Sequence, residues 1–219
     1  MGKSKQFAII GLGRFGSSVA STLVKAGYDV LVVDIDEERV QKFADEVTHV
    51  VKADTTDEAV VKSLGLRNFD VVVVAIGHYI QASVLTTLLL KEAGVKYIVA
   101  KADNALHGKM LEKIGADRVV YPERDMGVRI AHNLTSINVI DFIELSSELG
   151  IVEIAIPRSL IGKSLAEANI RSLYGVNVIA IKRDGKLNIS PIPSERFIAS
   201  DNLIVIGDIQ GLAKVENLD

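Results

Sequence analysis

The 219-residue chain sets 25 Lys and Arg against 28 Asp and Glu, a net charge of −3 with no dense basic cluster, which argues against a nucleic-acid partner. Hydrophobic residues make up 48% and mean hydropathy is +0.29, yet the longest unbroken apolar run is Val71 to Ile76, far below the ~18 residues of a membrane-spanning helix. With no cysteine there are neither disulfides nor thiolate metal sites, and the polar opening Met1 to Gln6 has no signal-peptide core, so a cytoplasmic protein is expected.

Such apolarity must go into a sheet covered on both faces or into subunit interfaces. From Phe7 to about Pro122 the β-branched runs FAIIG, VLVVDID, HVVKAD, DVVVVAIG, YIVAKAD and RVVYP alternate with helical stretches beginning near Ser17, Glu37, Asp57, Tyr79 and Ala105. Strands that read as continuous Val and Ile predict an α/β fold, a doubly wound, Rossmann-like parallel sheet. Right-handed crossovers put all strand carboxyl ends on one edge, where ligands bind. Glu123 to Ile137 then reads as one helix, with Met126, Ile130, Ala131, Leu134 and Ile137 on one face. VIDFIEL and IVEIAIP, a short helical SLAEANIRSL, the strand candidates NVIAIKR, KLNISPI and NLIVIGD, and a polar loop SERFIASD follow. They predict a small α+β lobe, hinged around ELSSELG, Glu144 to Gly150. The expected division is a nucleotide-binding domain over 1–123, a crossover helix and linker over 124–143, and a C-terminal lobe over 144–219.

Gly11, Gly13 and Gly16 form G-x-G-x-x-G between the first strand and the first helix. The first glycine permits the tight turn, the second lets backbone approach a pyrophosphate, and the third lets helix pack on strand. Asp34 ends the second strand, where a carboxylate accepts ribose hydroxyls and repels a 2′-phosphate. Arg14, with Phe15 beside it, is the unusual residue of the turn. A cation at a helix start costs roughly 0.3–1 kcal/mol unless an anion offsets it, so Arg14 calls for an anionic ligand. The remaining carboxyl ends contribute Ile35 and Asp36, Asp54 and Thr55, Ile76, Gly77 and His78, and Lys101, Ala102 and Asp103. Asp54 and Asp57 read as turn and cap residues rather than as catalysts.

The histidines at 49, 78, 107 and 132 share no metal-ligand spacing, although His78 and His107 leave strands four and five. Glu123 opens the long helix, where a carboxylate is ordinary dipole chemistry or a partner for phosphate-bound cations. An NAD-dependent oxidoreductase would use the same glycine turn and Asp34. It would also need a substrate domain with a positioned acid or base, and the small C-terminal lobe contains no histidine.

GLGRFG, VVDIDEE, KADTTDE, VVVAIG, ASVLTTLLLKEAG, EKIGADRVVYPERDMG and IRSLYGVNVIAIKRDG with ISP, in that order, resemble the RCK proteins, cytosolic regulators of K+ conductance. Among these the chain is similar to the gating subunits of Ktr/Trk potassium uptake systems. The resemblance implies a non-enzymatic homodimer assembling into an octameric ring beneath an integral membrane K+ channel subunit, exchanging ATP for ADP, with NAD(H) as a further ligand. It implies that Arg14 senses the ATP γ-phosphate, Asp34 holds ribose, and Glu123 joins the phosphate site across the dimer through Mg2+ or another cation. His78, Lys101, Asp103 and His107 would line the pocket. In the C-terminal lobe it implies a cyclic di-AMP site at Arg171, Asn177, Val178 and Pro191.

Overall fold

The computed structural model describes residues 5–135 and 138–219, in two compact units that divide at Pro122 and Glu123. The first contains the strands β1 (Gln6–Ile10), β2 (Asp29–Asp34), β3 (His49–Lys52), β4 (Val71–Val74), β5 (Ile98–Lys101) and β6 (Arg118–Val120). All pair in parallel, in the order β3-β2-β1-β4-β5-β6. Between them run α1 (Arg14–Lys25), α2 (Glu37–Phe43), α3 (Glu58–Ser63), α4 (Ile80–Glu92) and α5 (Ala105–Ile114). The doubly wound expectation is therefore met; four helices start within a residue of the expected position, while α1 starts at Arg14, three residues before Ser17.

Alternate residues of each strand enter different apolar layers. Ala8, Ile10, Val33, Val72, Val74 and Ala100 pack into one, and Ile9, Val30, Val32 and Val73 into the other. Each fully buried Val or Ile contributes about 1.5–3 kcal/mol, which is why the strands carry no polar alternation. The strand order reverses between β1 and β4, and this opens a crevice at their carboxyl ends.

The second unit opens with α6 (Pro122–Thr135), whose first residue closes the first unit. It continues with β7 (Val139–Glu144), β8 (Leu149–Ala155), α7 (Leu165–Ala168), α8 (Ile170–Tyr174), β9 (Asn177–Arg183), β10 (Lys186–Asn188), β11 (Asp201–Asp208) and α9 (Ile209–Glu216). Its sheet is antiparallel, in the order β10-β9-β11-β8-β7. The expected helix to Ile137 is seen through Thr135, and Ile137 lies outside the described residues. Its apolar residues Met126, Ile130 and Leu134 stay exposed in this chain.

Three local expectations differ from what is found. ELSSELG is not a hinge but the turn of the β7–β8 hairpin, closed by the Leu145 and Ser146 amides donating to the Leu149 carbonyl. SLAEANIRSL is two short helices, broken where Asn169 takes φ 46°. KLNISPI is strand only over Lys186–Asn188. SERFIASD is anchored by Phe197, wholly buried in the lobe's core. The closing helix α9, absent from the sequence reading, is capped by Asp208 Oδ1, which accepts the Gly211 amide at 2.8 Å.

Two side-chain pairs fasten α6 within its unit. Arg129 forms a bidentate pair with Asp141 of β7, and its hydrogen bonds hold the Asp141 carboxyl below the usual carboxylate range. His132 stacks on Phe142, ring centroids 4.0 Å apart, while its Nε2 lies 3.0 Å from Glu216 Oε1 of α9.

Candidate functional site

The glycine-rich turn is built by close approach. Gly11 takes φ +100° and donates its N–H to the Val33 carbonyl at 2.7 Å, and a Cβ there would lie 3.2 Å from the Ala75 carbonyl group. A Cβ on Gly16 would lie 1.9 Å from the Gly11 carbonyl oxygen, so only hydrogen fits between turn and helix. Gly13 differs: nothing stands within 4 Å of its Cβ position, which leaves the approach to the turn open.

From Gly13 the helix α1 starts with no side-chain cap and no acid in its first turn. Among the described residues no side chain accepts from its leading N–H groups, which carry the positive end of the helix dipole. Arg14 is exposed at the first helical position and, among the described residues, makes no ion pair. Positive potential, open backbone donors and a guanidinium converge where phosphate groups bind in such folds.

Asp34 ends β2 buried, 5% exposed, and works first for the fold. Its Oδ2 accepts the Leu12 N–H at 2.5 Å and its Oδ1 accepts the Asp36 N–H at 2.8 Å, joining the glycine turn to the β2–α2 corner. Ser17 Oγ donates to the Leu12 carbonyl at 3.1 Å and fixes the same residue from α1. Each carboxylate oxygen keeps a further lone pair, so Asp34 can also accept a hydroxyl. Ile35 is exposed beside it, and Asp36 caps α2 by accepting the Glu38 amide at 2.9 Å.

Arg39, in the first turn of α2, was not singled out from the sequence. Its Nη1 lies 3.7 Å from Asp34 Oδ2 and its Nε 3.3 Å from Asp36 Oδ2, while over half of its side chain remains exposed. The signal was there to read: an arginine three residues past the cap Asp36 meets it on the same helical turn.

Along the rest of the edge the expected residues separate into two groups. Ile76 follows the Gly11 contact, and Gly77 leaves the space that Lys101 fills, since a Cβ there would be 3.1 Å from Lys101 Nζ. Lys101 is buried, with Nζ 6.0 Å from the Phe15 ring, so Phe15, Gly77 and Lys101 meet. His78 is exposed, its Nδ1 3.6 Å from Asp103 Oδ1. Other residues face inward. Ala102 and His107 are each 1% exposed, and Asp103 N–H donates to His107 Nδ1 at 3.2 Å. Burial pushes the His107 imidazole down, so it is neutral near pH 7, and the accepting Nδ1 assigns the proton to Nε2. Asp54 accepts Thr56 N–H and Oγ1–H, Asp57 caps α3, and buried Thr55 pairs with Thr86 Oγ1 at 3.0 Å. These are turn and cap duties.

Glu123 is exposed in the first turn of α6, in the second unit. Among the described residues no three His, Asp or Glu gather as metal ligands, so a cation near Glu123 would need most of its ligands from elsewhere. Arg171 is exposed on α8, Asn177 and Val178 begin β9, and Pro191 follows β10, whose pairing Asn188 to Ile181 returns the chain along β9.

A TrkA-N domain matches residues 7–122 and a TrkA-C domain residues 149–218. The chain is 51% identical to the Ktr system potassium uptake protein C of Bacillus subtilis, over 97% of this chain and 96% of that one. It is 49% identical to protein A of the same system and organism, over 98% and 97%. Among solved structures the GsuK channel superposes with a TM-score of 0.72 at 20% identity, covering 99% of this chain and 40% of the channel. At that identity the likeness is one of fold.

Proposed function

Because the chain belongs to the TrkA-N/TrkA-C (RCK) family of potassium-uptake regulators, we propose that it is the nucleotide-sensing gating subunit of a Ktr-type system. It is a regulatory subunit and not an enzyme, so the oxidoreductase reading of the glycine turn lapses. No helix among the described residues is long and apolar enough to cross a membrane. The Ktr-type reading assigns K+ conduction to an integral membrane chain. The working location is the cytoplasmic face of the cell membrane.

The observation that carries this reading is the open, uncapped N-terminus of α1 with Arg14 beside it. ATP or ADP would place its phosphates at Gly13 and the α1 amides and its ribose at Asp34. The terminal phosphate of ATP would meet Arg14 through charge-assisted hydrogen bonds, and ADP would leave that guanidinium without this partner. A ligand shifts a conformational equilibrium only by its differential affinity for the two shapes, and a 100-fold difference supplies about 2.7 kcal/mol per site. Several sites in an octameric ring of homodimers add, which suffices to bias a gate without turnover.

The same crevice would take NAD(H); GsuK structures bound to NAD and to ADP share the fold. Phe15, Ile35, Asp36, Ile76, Gly77, His78, Lys101 and Asp103 are its proposed lining, with Asp54, Thr55, Ala102 and His107 supporting it from behind. Glu123 serves the phosphates of a neighbouring copy, with Mg2+ or another cation held mainly by the phosphates. Arg171, Asn177, Val178 and Pro191 form a cyclic di-AMP site where two lobes meet, and the exposed apolar stripe of α6 is covered by dimerisation. The functional division is then a nucleotide-binding unit up to Pro122 and a C-terminal unit from Glu123 that includes α6 and β7.

The test is calorimetric titration of ATP, ADP and NADH into the wild-type chain and Arg14→Ala. Loss of the ATP-over-ADP preference in the variant, with ADP binding retained, supports the reading. Preferred NADH binding that Arg14→Ala leaves unchanged would refute it.

A further inference from the structure

We propose that Arg39 is the platform on which the nucleotide base stacks, and hence the residue that makes the site prefer purines. The inference rests on the nucleotide reading of the crevice and adds to it a residue that selects the base. Three observations carry it. First, Arg39 is placed by two carboxylates at once: Nη1 near Asp34 Oδ2 at 3.7 Å and Nε near Asp36 Oδ2 at 3.3 Å. Two carboxylates beside one planar guanidinium hold it at the β2–α2 corner and bias its orientation. Second, those carboxylates are themselves hydrogen-bonded, Asp34 to the Leu12 and Asp36 amides and Asp36 to the α2 cap. Third, about half of the Arg39 side chain is exposed beside the carboxylate that would hold ribose, so it can meet a base attached to that ribose.

A guanidinium in this setting has little to offer a phosphate, because its charge is already shared between Asp34 and Asp36. What it offers is a flat, weakly hydrated, electron-poor surface. Such a surface attracts the face of an aromatic ring, and a purine presents more of that face than a pyrimidine. Stacking acts on the base and ignores the phosphate tail. Arg39 therefore contributes equally to ATP and ADP, whereas Arg14 distinguishes them.

The experiment is calorimetric titration of ATP, ADP and UTP into the full chain as wild type, Arg39→Ala and Arg39→Lys. Arg39→Ala should weaken ATP and ADP alike, by about five-fold, and bring the ATP-over-UTP preference towards one. Arg39→Lys keeps the charge and loses the plane, so it should resemble the alanine variant. Wild-type binding by Arg39→Lys, an unchanged ATP-over-UTP ratio in Arg39→Ala, or a wild type indifferent between ATP and UTP would overturn the proposal. A wild-type chain that binds none of the three would instead overturn the nucleotide reading beneath it.

Discussion

Gly16→Ala and Gly13→Ala add the same methyl group, three residues apart, and should fail in opposite ways. At Gly16 the new Cβ would sit 1.9 Å from the Gly11 carbonyl oxygen and 3.0 Å from Ala75 Cβ. The nearer obstacle is backbone, in a turn that Val33 and Asp34 already hold, so the clash is relieved only by moving α1 away from β1. Overpacking costs typically 1–3 kcal/mol, and a rigid obstacle puts this case near ~3 kcal/mol. For a unit of this size that is roughly 10 °C in Tm. At Gly13 nothing lies within 4 Å of the added methyl and the backbone is ordinary, so stability should change by about 1 kcal/mol or less. There the methyl would stand where phosphates approach, and ATP affinity should fall by at least about ten-fold, or ~1.4 kcal/mol. Differential scanning calorimetry of both variants, followed by ATP titration, separates the two effects. A Gly16→Ala protein that melts like wild type would refute the close-approach argument, and full ATP affinity in Gly13→Ala would refute the position of the phosphate cradle.

Asp34→Ala should leave the buried Leu12 amide and the part-buried Asp36 amide without acceptors, cost about 2–3 kcal/mol in urea unfolding and abolish the proposed nucleotide binding, whereas Asp34→Asn should regain part of the stability. His107 is held neutral by burial, while in the unfolded chain it takes a proton near pH 6.5. Unfolding then binds protons, so the first unit should lose stability as pH falls from about 7 to about 5, and His107→Gln should flatten that fall in a Tm-against-pH series; an unchanged slope would contradict the assignment. Asp141, kept low by Arg129, contributes stability above the unfolded carboxylate pKa that is lost on further acidification. Its partial exposure limits the effect, so Asp141→Asn should cost about 1 kcal/mol near pH 7 and almost nothing near pH 2.

The first unit was legible because its strands are buried on both faces: four consecutive valines at Val71–Val74 leave little alternative to a central parallel strand. The glycine turn and Asp34 were equally legible, since their spacing follows from backbone geometry. The second unit reads less well because its elements are short and antiparallel. In ELSSELG the sequence signals only a break, and whether a break is a hinge or a hairpin depends on whether the flanking strands pair. SLAEANIRSL keeps a helical pattern through Asn169, whose left-handed backbone belongs to the fold and not to the local pattern. Arg39 escaped because its role comes from meeting Asp34 across the β2–α2 corner. His107 and Ala102 were placed on the edge by position, but their side chains turn inward.

The triple tethering of residues 11 and 12, by Val33, Asp34 and Ser17, bears on rates as well as affinity. A loop held in one conformation by the fold has less ordering entropy to lose on binding a ligand than a mobile one. For the ATP/ADP exchange proposed above, this pre-ordering should favour rapid exchange, so that occupancy follows a changing ATP-to-ADP ratio.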